Sequence, residues 1–193
     1  MKTIESTGIT LPIDNIDTDQ IIPAQFLKST SRDGFGKNLF YNWRYLENGN
    51  LNPDFAFQKF KPQSQILITG NNFGCGSSRE HAAWAIADYG IQAIISSQFA
   101  DIFKGNALNN GILPIEISGE KLTQIMEFVS ASKEAIIQID LVEQTVSISE
   151  FNFIEHFEVD PLKKEFLLEG LSELEYLINL RDEITEFEKT HEL

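Results

Sequence analysis

The stretch "SQILITGNNFGCGSSREHAAWAIADYGIQAIISS", residues 64–97, decides the fold. It opens on the apolar run "SQILITG" and passes through a loop holding Gly74, Gly76, Ser77, Ser78 and Arg79 after Gly70. An alanine-rich segment then runs to Gly90, and a second apolar run, "IQAIISS", closes the stretch. Short apolar runs bounded by glycine read as buried strands, so the pattern predicts strand, helix, strand, with the strands parallel and the crossover right-handed. The helix is expected over Ser78–Tyr89, where Ala82, Ala83, Trp84, Ala85, Ile86 and Ala87 cover nearly every face and Gly90 ends it. A helix buried on all sides meets a ligand only at its ends. Ser77 with Glu80 three residues on matches a capping box. Arg79 is not explained that way, because a cation in the first turn opposes the positive end of the helix dipole. An anion there relieves the conflict, and the loop glycines would let free N–H groups and the guanidinium grip one carboxylate together.

On either side of this unit the pattern is mixed. "GITLPI" reads as an early strand, followed by the acidic turn "DNIDTD" and by "QIIPAQFL". Residues 28–60 form a long loop region, rich in glycine and aromatics, with no sustained period; a passage of that length is functional or hides an element. "FADIFKGNALNNG" predicts a short helix leading into the strand "ILPIEI". "GEKLTQIMEFVSAS" places Leu122, Ile125, Met126 and Val129 on one helical face, and "IIQIDLVEQTVSI" reads as a hairpin. Residues 160–193 form an acidic helical extension, and residues 1–193 together are expected to make one compact α/β domain.

Composition narrows the partners. Lys and Arg total 15 against 29 Asp and Glu, a net charge of −14, which disfavours nucleic acid and anionic membrane surfaces. A small anionic ligand must then be held by a few local cations. The single cysteine, Cys75, excludes an internal disulfide and fits a reducing compartment. It equally excludes a self-contained cysteine-ligated cluster. The opening residues carry no apolar signal core, and nothing reaches the ~18 apolar residues of a membrane span, so a cytoplasmic chain is expected.

Several chemistries fit poorly. Cys75 or Ser77 acting as a hydrolytic nucleophile needs a base within reach, and His81, four residues past Ser77, points back along the helix. His156 and His191 have no motif around them. The glycines lack phosphate-loop spacing. In "NIDTDQIIP", Asp17 and Asp19 either form an Asx turn or offer a metal site, but one residue apart on an extended segment they face opposite ways, so only one can reach a shared pocket. Asn106, Asn109 and Asn110 read as residues of a helix and its end.

"NIDTDQIIPAQFL", "NFGCGSSREHA" and "FADIFKGNALNNGILP", in this order and separation, resemble the small subunits of 3-isopropylmalate dehydratase, the free-standing equivalents of the last domain of aconitase. The likeness runs from about residue 3 to about 180, and the 28–60 passage is closer to the bacterial form than to the shorter archaeal one. The resemblance implies a swivelling β/β/α domain and a hydro-lyase that isomerises 2-isopropylmalate and 3-isopropylmalate through 2-isopropylmaleate in leucine synthesis. It also implies a 4Fe-4S cluster acting as Lewis acid. Such a cluster needs several thiolates and this chain has one, so the cluster is expected on a large partner subunit and the chain is expected to be inactive alone.

By the same resemblance Ser77 matches the catalytic base, Asp19 an active-site carboxylate that orients base or substrate, and Arg79 the ligand of a substrate carboxylate. Ser78 and Thr18 lie beside them, and Lys28 or Arg32 supplies a further cation. The aromatic passage Phe35 to Tyr45 would cover substrate, dock on the partner, or form a small local core. Alternatives are a related hydro-lyase acting on citraconate and malate or on homoaconitate, and a noncatalytic carboxylate-binding module. The segment "EVDPLKKEFLLEGLSELEYLINL" is more acidic and helical than the family resemblance leads one to expect.

Overall fold

Two four-stranded sheets stack on each other in the computed structural model, which describes residues 2–28, 31–171 and 173–190. The parallel sheet, in the order β2-β3-β4-β5, is built from β2 (Gly8–Leu11), β3 (Ile66–Thr69), β4 (Ala93–Ser96) and β5 (Leu113–Glu116). The antiparallel sheet, in the order β1-β6-β7-β8, comprises β1 (Thr3–Ser6), β6 (Ile137–Asp140), β7 (Thr145–Ile148) and β8 (Phe153–His156). Nine helices lie among the described residues: α1 (Thr18–Ile21), α2 (Tyr41–Arg44), α3 (Ala56–Lys59), α4 (Glu80–Tyr89), α5 (Asp101–Asn109), α6 (Gly119–Ala131), α7 (Pro161–Glu169), α8 (Glu173–Asn179) and α9 (Arg181–Thr190). None is long and apolar enough to cross a membrane.

Strand alternation explains the layering. Successive side chains leave a strand on opposite faces. Leu67 and Ile94 therefore join one core with α4, α5 and the aromatic passage, while Ile66, Ile68, Ala93 and Ile95 join a second with α6 and the antiparallel sheet. The parallel strands are buried along their lengths, as a sheet covered on both faces requires. The order of layers is β, β, α.

The predicted strand–helix–strand unit is present as β3, α4 and β4, with β3 and β4 paired in parallel, Ile66 opposite Ala93. Ala82, Ala83, Ala85 and Ile86 of α4 have no exposure, and full burial of a side chain such as Ile86 contributes about 1.5–3 kcal/mol. Gly90, at φ +102°, closes the helix in the left-handed region. On α6, Leu122, Ile125 and Val129 are buried on one face.

The passage 28–60 holds α2, α3 and a short 3-10 turn at Phe35–Asn38. Its aromatics do not form a separate small core. Phe35 and Phe40 are 3% and 0% exposed within the main helical-side core. The segment is fastened to the end of α4, where Asp88 accepts from the backbone N–H of Gly36 at 2.7 Å and of Gly34 at 3.3 Å. Arg44, buried, donates to the carbonyls of Gly36 and Leu39 at 2.9 and 3.2 Å and lies over the ring of Tyr89, 4.7 Å from its centroid. The packing of Phe35 and Phe40 accounts for the missing helical period: the chain is placed by tertiary contacts, not by a repeating face.

Candidate active site

Three loops leave the C-terminal ends of β2, β3 and β4, and main-chain hydrogen bonds sew them together beyond the sheet. Asn15 N–H donates to the Asn71 carbonyl at 2.8 Å, Gly74 N–H to Ile16 at 2.8 Å and Thr18 N–H to Cys75 at 2.9 Å. On the far side Phe73 N–H donates to Gln98 at 3.1 Å and Ala100 N–H to Phe73 at 3.0 Å. Ligands of open parallel sheets bind outside these strand ends. Here the loops enclose a cleft of about 210 Å³, lined by Thr18, Gly74, Gly76, Ser77 and Arg79 together with Ala100, Asp101, Ile102, Phe103 and Asn106.

Gly74 shows why the loop is rich in glycine. At φ +77° it lies in the left-handed region, and a Cβ there would run into the ring of Phe103. That ring is 2% exposed and packs edge-on against Phe73 at 5.1 Å. The closeness of backbone to ring brings the first turn of α5 against the loop and forms the opposite wall of the cleft.

The expected capping box at the start of α4 is absent. The helix begins at Glu80, its N-cap is Arg79 with extended backbone, and no side chain caps it; Ser77 and Ser78 lie in the loop before it. The chain cannot turn helical at Ser78 while the loop is tied to Thr18. A real capping box occurs instead at α1, where Asp17 Oδ1 accepts from Gln20 N–H at 2.8 Å and Gln20 Oε1 from Asp17 N–H at 2.9 Å. "DTDQ" carries that signature, and it marks a helix where the sequence reading saw a turn. Asp17 is thereby occupied, and Asp19 alone reaches Arg79.

Arg79 Nη1 and Asp19 Oδ1 form an ion pair, with Arg79 mostly covered and Asp19 half exposed. The carboxylate that the sequence pattern requires beside Arg79 is thus supplied in part by the chain. Ser77 is exposed in the cleft wall. Thr18, 2% exposed and part of the cleft lining, gives its hydroxyl hydrogen to the Ser77 carbonyl at 2.9 Å and so supports the loop. Ser78 is exposed on the same loop but does not line the cleft.

Lys28 and Arg32 are not brought into the cleft. Lys28 lies in a separate groove with Phe26, Asp33 and Lys37. Arg32 is drawn to the outer face of α4, where it donates to Glu80 at 3.3 Å and Asn110 at 3.1 Å and covers the Trp84 ring, 4.8 Å from its centroid. Glu80, one residue past Arg79, captures the guanidinium that the resemblance assigned to substrate. His81 packs against Trp84 on α4, with ring centroids 4.4 Å apart and the planes tilted by 45°. His191 lies outside the described residues.

Cys75 is half-buried, and burial pushes its thiol up, with the Asp17 carboxylate adding to the effect. A thiol held protonated is a poor nucleophile and a poor metal ligand. Among the described residues no group of three or more His, Cys, Asp and Glu is placed to hold a metal ion. The donor set of this chain therefore does not fit an iron–sulfur cluster, which needs several thiolates.

Sequence reasoning missed Asp101, Ile102 and Asn106 as parts of the cleft. Asn106 lies inside α5, which continues to Asn109, and lines the cleft. The available signal was topological: the segment follows the third of three consecutive parallel strands.

Residues 1–120 match the family described as aconitase C-terminal domain. The 3-isopropylmalate dehydratase small subunit of Cytophaga hutchinsonii is 48% identical over 188 residues, covering 97% of this chain and 94% of that protein. That of Lactococcus lactis subsp. cremoris is 47% identical over 191 residues, covering 97% and 96%. The crystal structure of a 3-isopropylmalate dehydratase from Methanocaldococcus jannaschii superposes with a TM-score of 0.70 at 30% identity, covering 96% of this chain and 99% of that one. With its β/β/α layers and the cleft at the parallel strand ends, the chain belongs to the aconitase C-terminal domain family and, within it, to the small subunits of 3-isopropylmalate dehydratase.

Proposed function

We propose that this chain is the small subunit of a hydro-lyase that isomerises 2-isopropylmalate and 3-isopropylmalate through 2-isopropylmaleate, in leucine synthesis, in company with a large subunit that holds the 4Fe-4S cluster. The observation that carries the reading is that Ser77 and Arg79 line one cleft while Asp19, from a loop tied to theirs, pairs with Arg79. Ser77 serves as the base that removes the carbon-bound proton. Arg79, oriented by Asp19, binds one substrate carboxylate with the donors its fork has left. The cation expected from Lys28 or Arg32 comes into play only if that segment re-orients on the partner.

Energetics explain why the chain needs company. Making a serine alkoxide near neutral pH requires a shift of several pKa units at about 1.36 kcal/mol each. A helix N-terminus contributes about 0.3–1 kcal/mol, falling off within the first turn. Ser77 stands three residues before α4, so Arg79 and groups from the partner must supply most of the stabilisation.

The test is anaerobic hydration of 2-isopropylmaleate by the chain alone, by the chain with its large subunit, and by variants of the complex. Activity is expected only in the mixture. Ser77→Ala should lower kcat by about 10²–10⁴-fold with assembly intact. Arg79→Lys should mainly raise KM, since a point charge replaces a planar fork. Near-normal turnover by Ser77→Ala would overturn the assignment of the base; turnover of citraconate or homoaconitate in place of isopropylmaleate would keep the site and change the substrate.

A further inference from the structure

We propose that Thr18 is a positioning residue for Ser77: its buried hydroxyl, by holding the Ser77 carbonyl, fixes the peptide from which Ser77 presents its oxygen to the cleft. The inference rests on Ser77 being the base and adds what keeps that base in place.

Residues 76–78 are the least constrained part of the site. Gly76 sits at φ +90°, and Gly76, Ser77 and Ser78 are all exposed. Anchors exist on both sides. Upstream, Cys75 is held by the main chain of Thr18; downstream, Arg79 is held by Asp19. Among the described residues, the hydrogen bond from Thr18 Oγ1 to the Ser77 carbonyl, 2.9 Å, is the one that restrains the segment between them. A glycine with free rotation followed by an exposed serine would otherwise sample many orientations.

The tether itself is rigid. Thr18 is 2% exposed, its own N–H is committed to Cys75, and it opens a helix capped by Asp17 and Gln20. Thr18 and Asp19 are adjacent on that helix, so one short element holds the Ser77 peptide with one residue and the Arg79 guanidinium with the next. Base and carboxylate ligand are thereby set relative to each other by a part that is itself fixed. A general base works only within hydrogen-bond reach of its proton, whereas a carboxylate ligand on a long side chain tolerates displacement. Loss of the Thr18 hydroxyl should therefore appear in turnover and spare binding.

The experiment uses the assembled anaerobic complex and 2-isopropylmaleate, with Thr18→Val, which keeps the shape and removes the hydroxyl, Thr18→Ser, which keeps the hydroxyl, and Ser77→Ala. Thr18→Val is expected to lower kcat by about 10- to 100-fold while KM stays within about threefold, because a displacement near 1 Å costs on that order. Thr18→Ser should recover most of the loss. A general packing role would not separate kcat from KM, nor would the smaller serine repair it. If Thr18→Val does not assemble, Thr18→Cys takes its place, since its thiol fits the space but donates weakly, and the same split is expected. Normal kcat in Thr18→Val or Thr18→Cys, with Ser77→Ala inactive, overturns the positioning role and leaves the base assigned. Activity in Ser77→Ala overturns the reading beneath it.

Discussion

Replacing Gly74 with alanine tests how the cleft is built. The residue lies at φ +77°, and an L side chain in that region costs about 1–2 kcal/mol. The added methyl would also meet the Phe103 ring, which is buried against Phe73 and Phe99 and has little room to retreat. Overpacking a tight core costs about 1–3 kcal/mol, so the two terms give roughly 2–5 kcal/mol together. For a chain of 193 residues, at about 2–4 °C per kcal/mol, the melting temperature should fall by about 4–20 °C. Urea and thermal denaturation of the free chain, followed by circular dichroism, measure both quantities. The nearest atoms of Phe103 are its Cβ and Cγ, so the terms separate in a Phe103→Ala background: with Cγ and the ring gone, the cost of Gly74→Ala should fall toward the backbone strain of about 1–2 kcal/mol. A cost below about 0.5 kcal/mol for Gly74→Ala, or one unchanged by Phe103→Ala, would refute the view that loop and helix are locked through this contact.

Two other expectations concern the frame of the site. Arg44→Met keeps the buried stem but removes charged donors to the Gly36 and Leu39 carbonyls, so it should cost about 1.5–3 kcal/mol, seen as a lower urea midpoint; an unchanged midpoint would mean these bonds contribute nothing. Cys75 should be alkylated by iodoacetamide with a pH midpoint above the ordinary 9.0, and a midpoint at or below the value of a free cysteine would contradict the described burial. The sign for stability follows: the folded chain holds this proton more tightly than the unfolded one, so the contribution is complete below pH 9.0 and is lost as pH rises from there through the folded value.

Local pattern made the central unit legible. β3, α4 and β4 are strong periodic or apolar runs with glycine at their joins, and the helical face of α6 could be read from Leu122, Ile125 and Val129. Other elements depend on distant partners. β1 is four residues whose ladder is made with β6, Thr3 opposite Asp140, and no local signal marks it. β8 was hidden at the start of an acidic tail. Ser77, Arg79 and Asp19 are candidates from motif and resemblance. Their relations are not legible there, because Ser77 and Glu80 satisfy a capping pattern that the tie to Thr18 overrides, and because Arg32 finds a carboxylate and an indole ring on a helix 48 residues away. Spacing shows what a residue could do locally; tertiary hydrogen bonds decide which of those options is used.

The sewing of the three loops also sets when the site can exist. Thr18, Ser77 and Asn106 follow three successive parallel strands, and the loops of the first two are held largely by each other and by the third. A chain emerging from the ribosome carries Ser77 long before α5 can supply the far wall. Parallel pairing over long separations is slow because loop closure precedes its reward. A polypeptide arrested after β4 would therefore carry the serine without the α5 residues that form the far wall of the cleft.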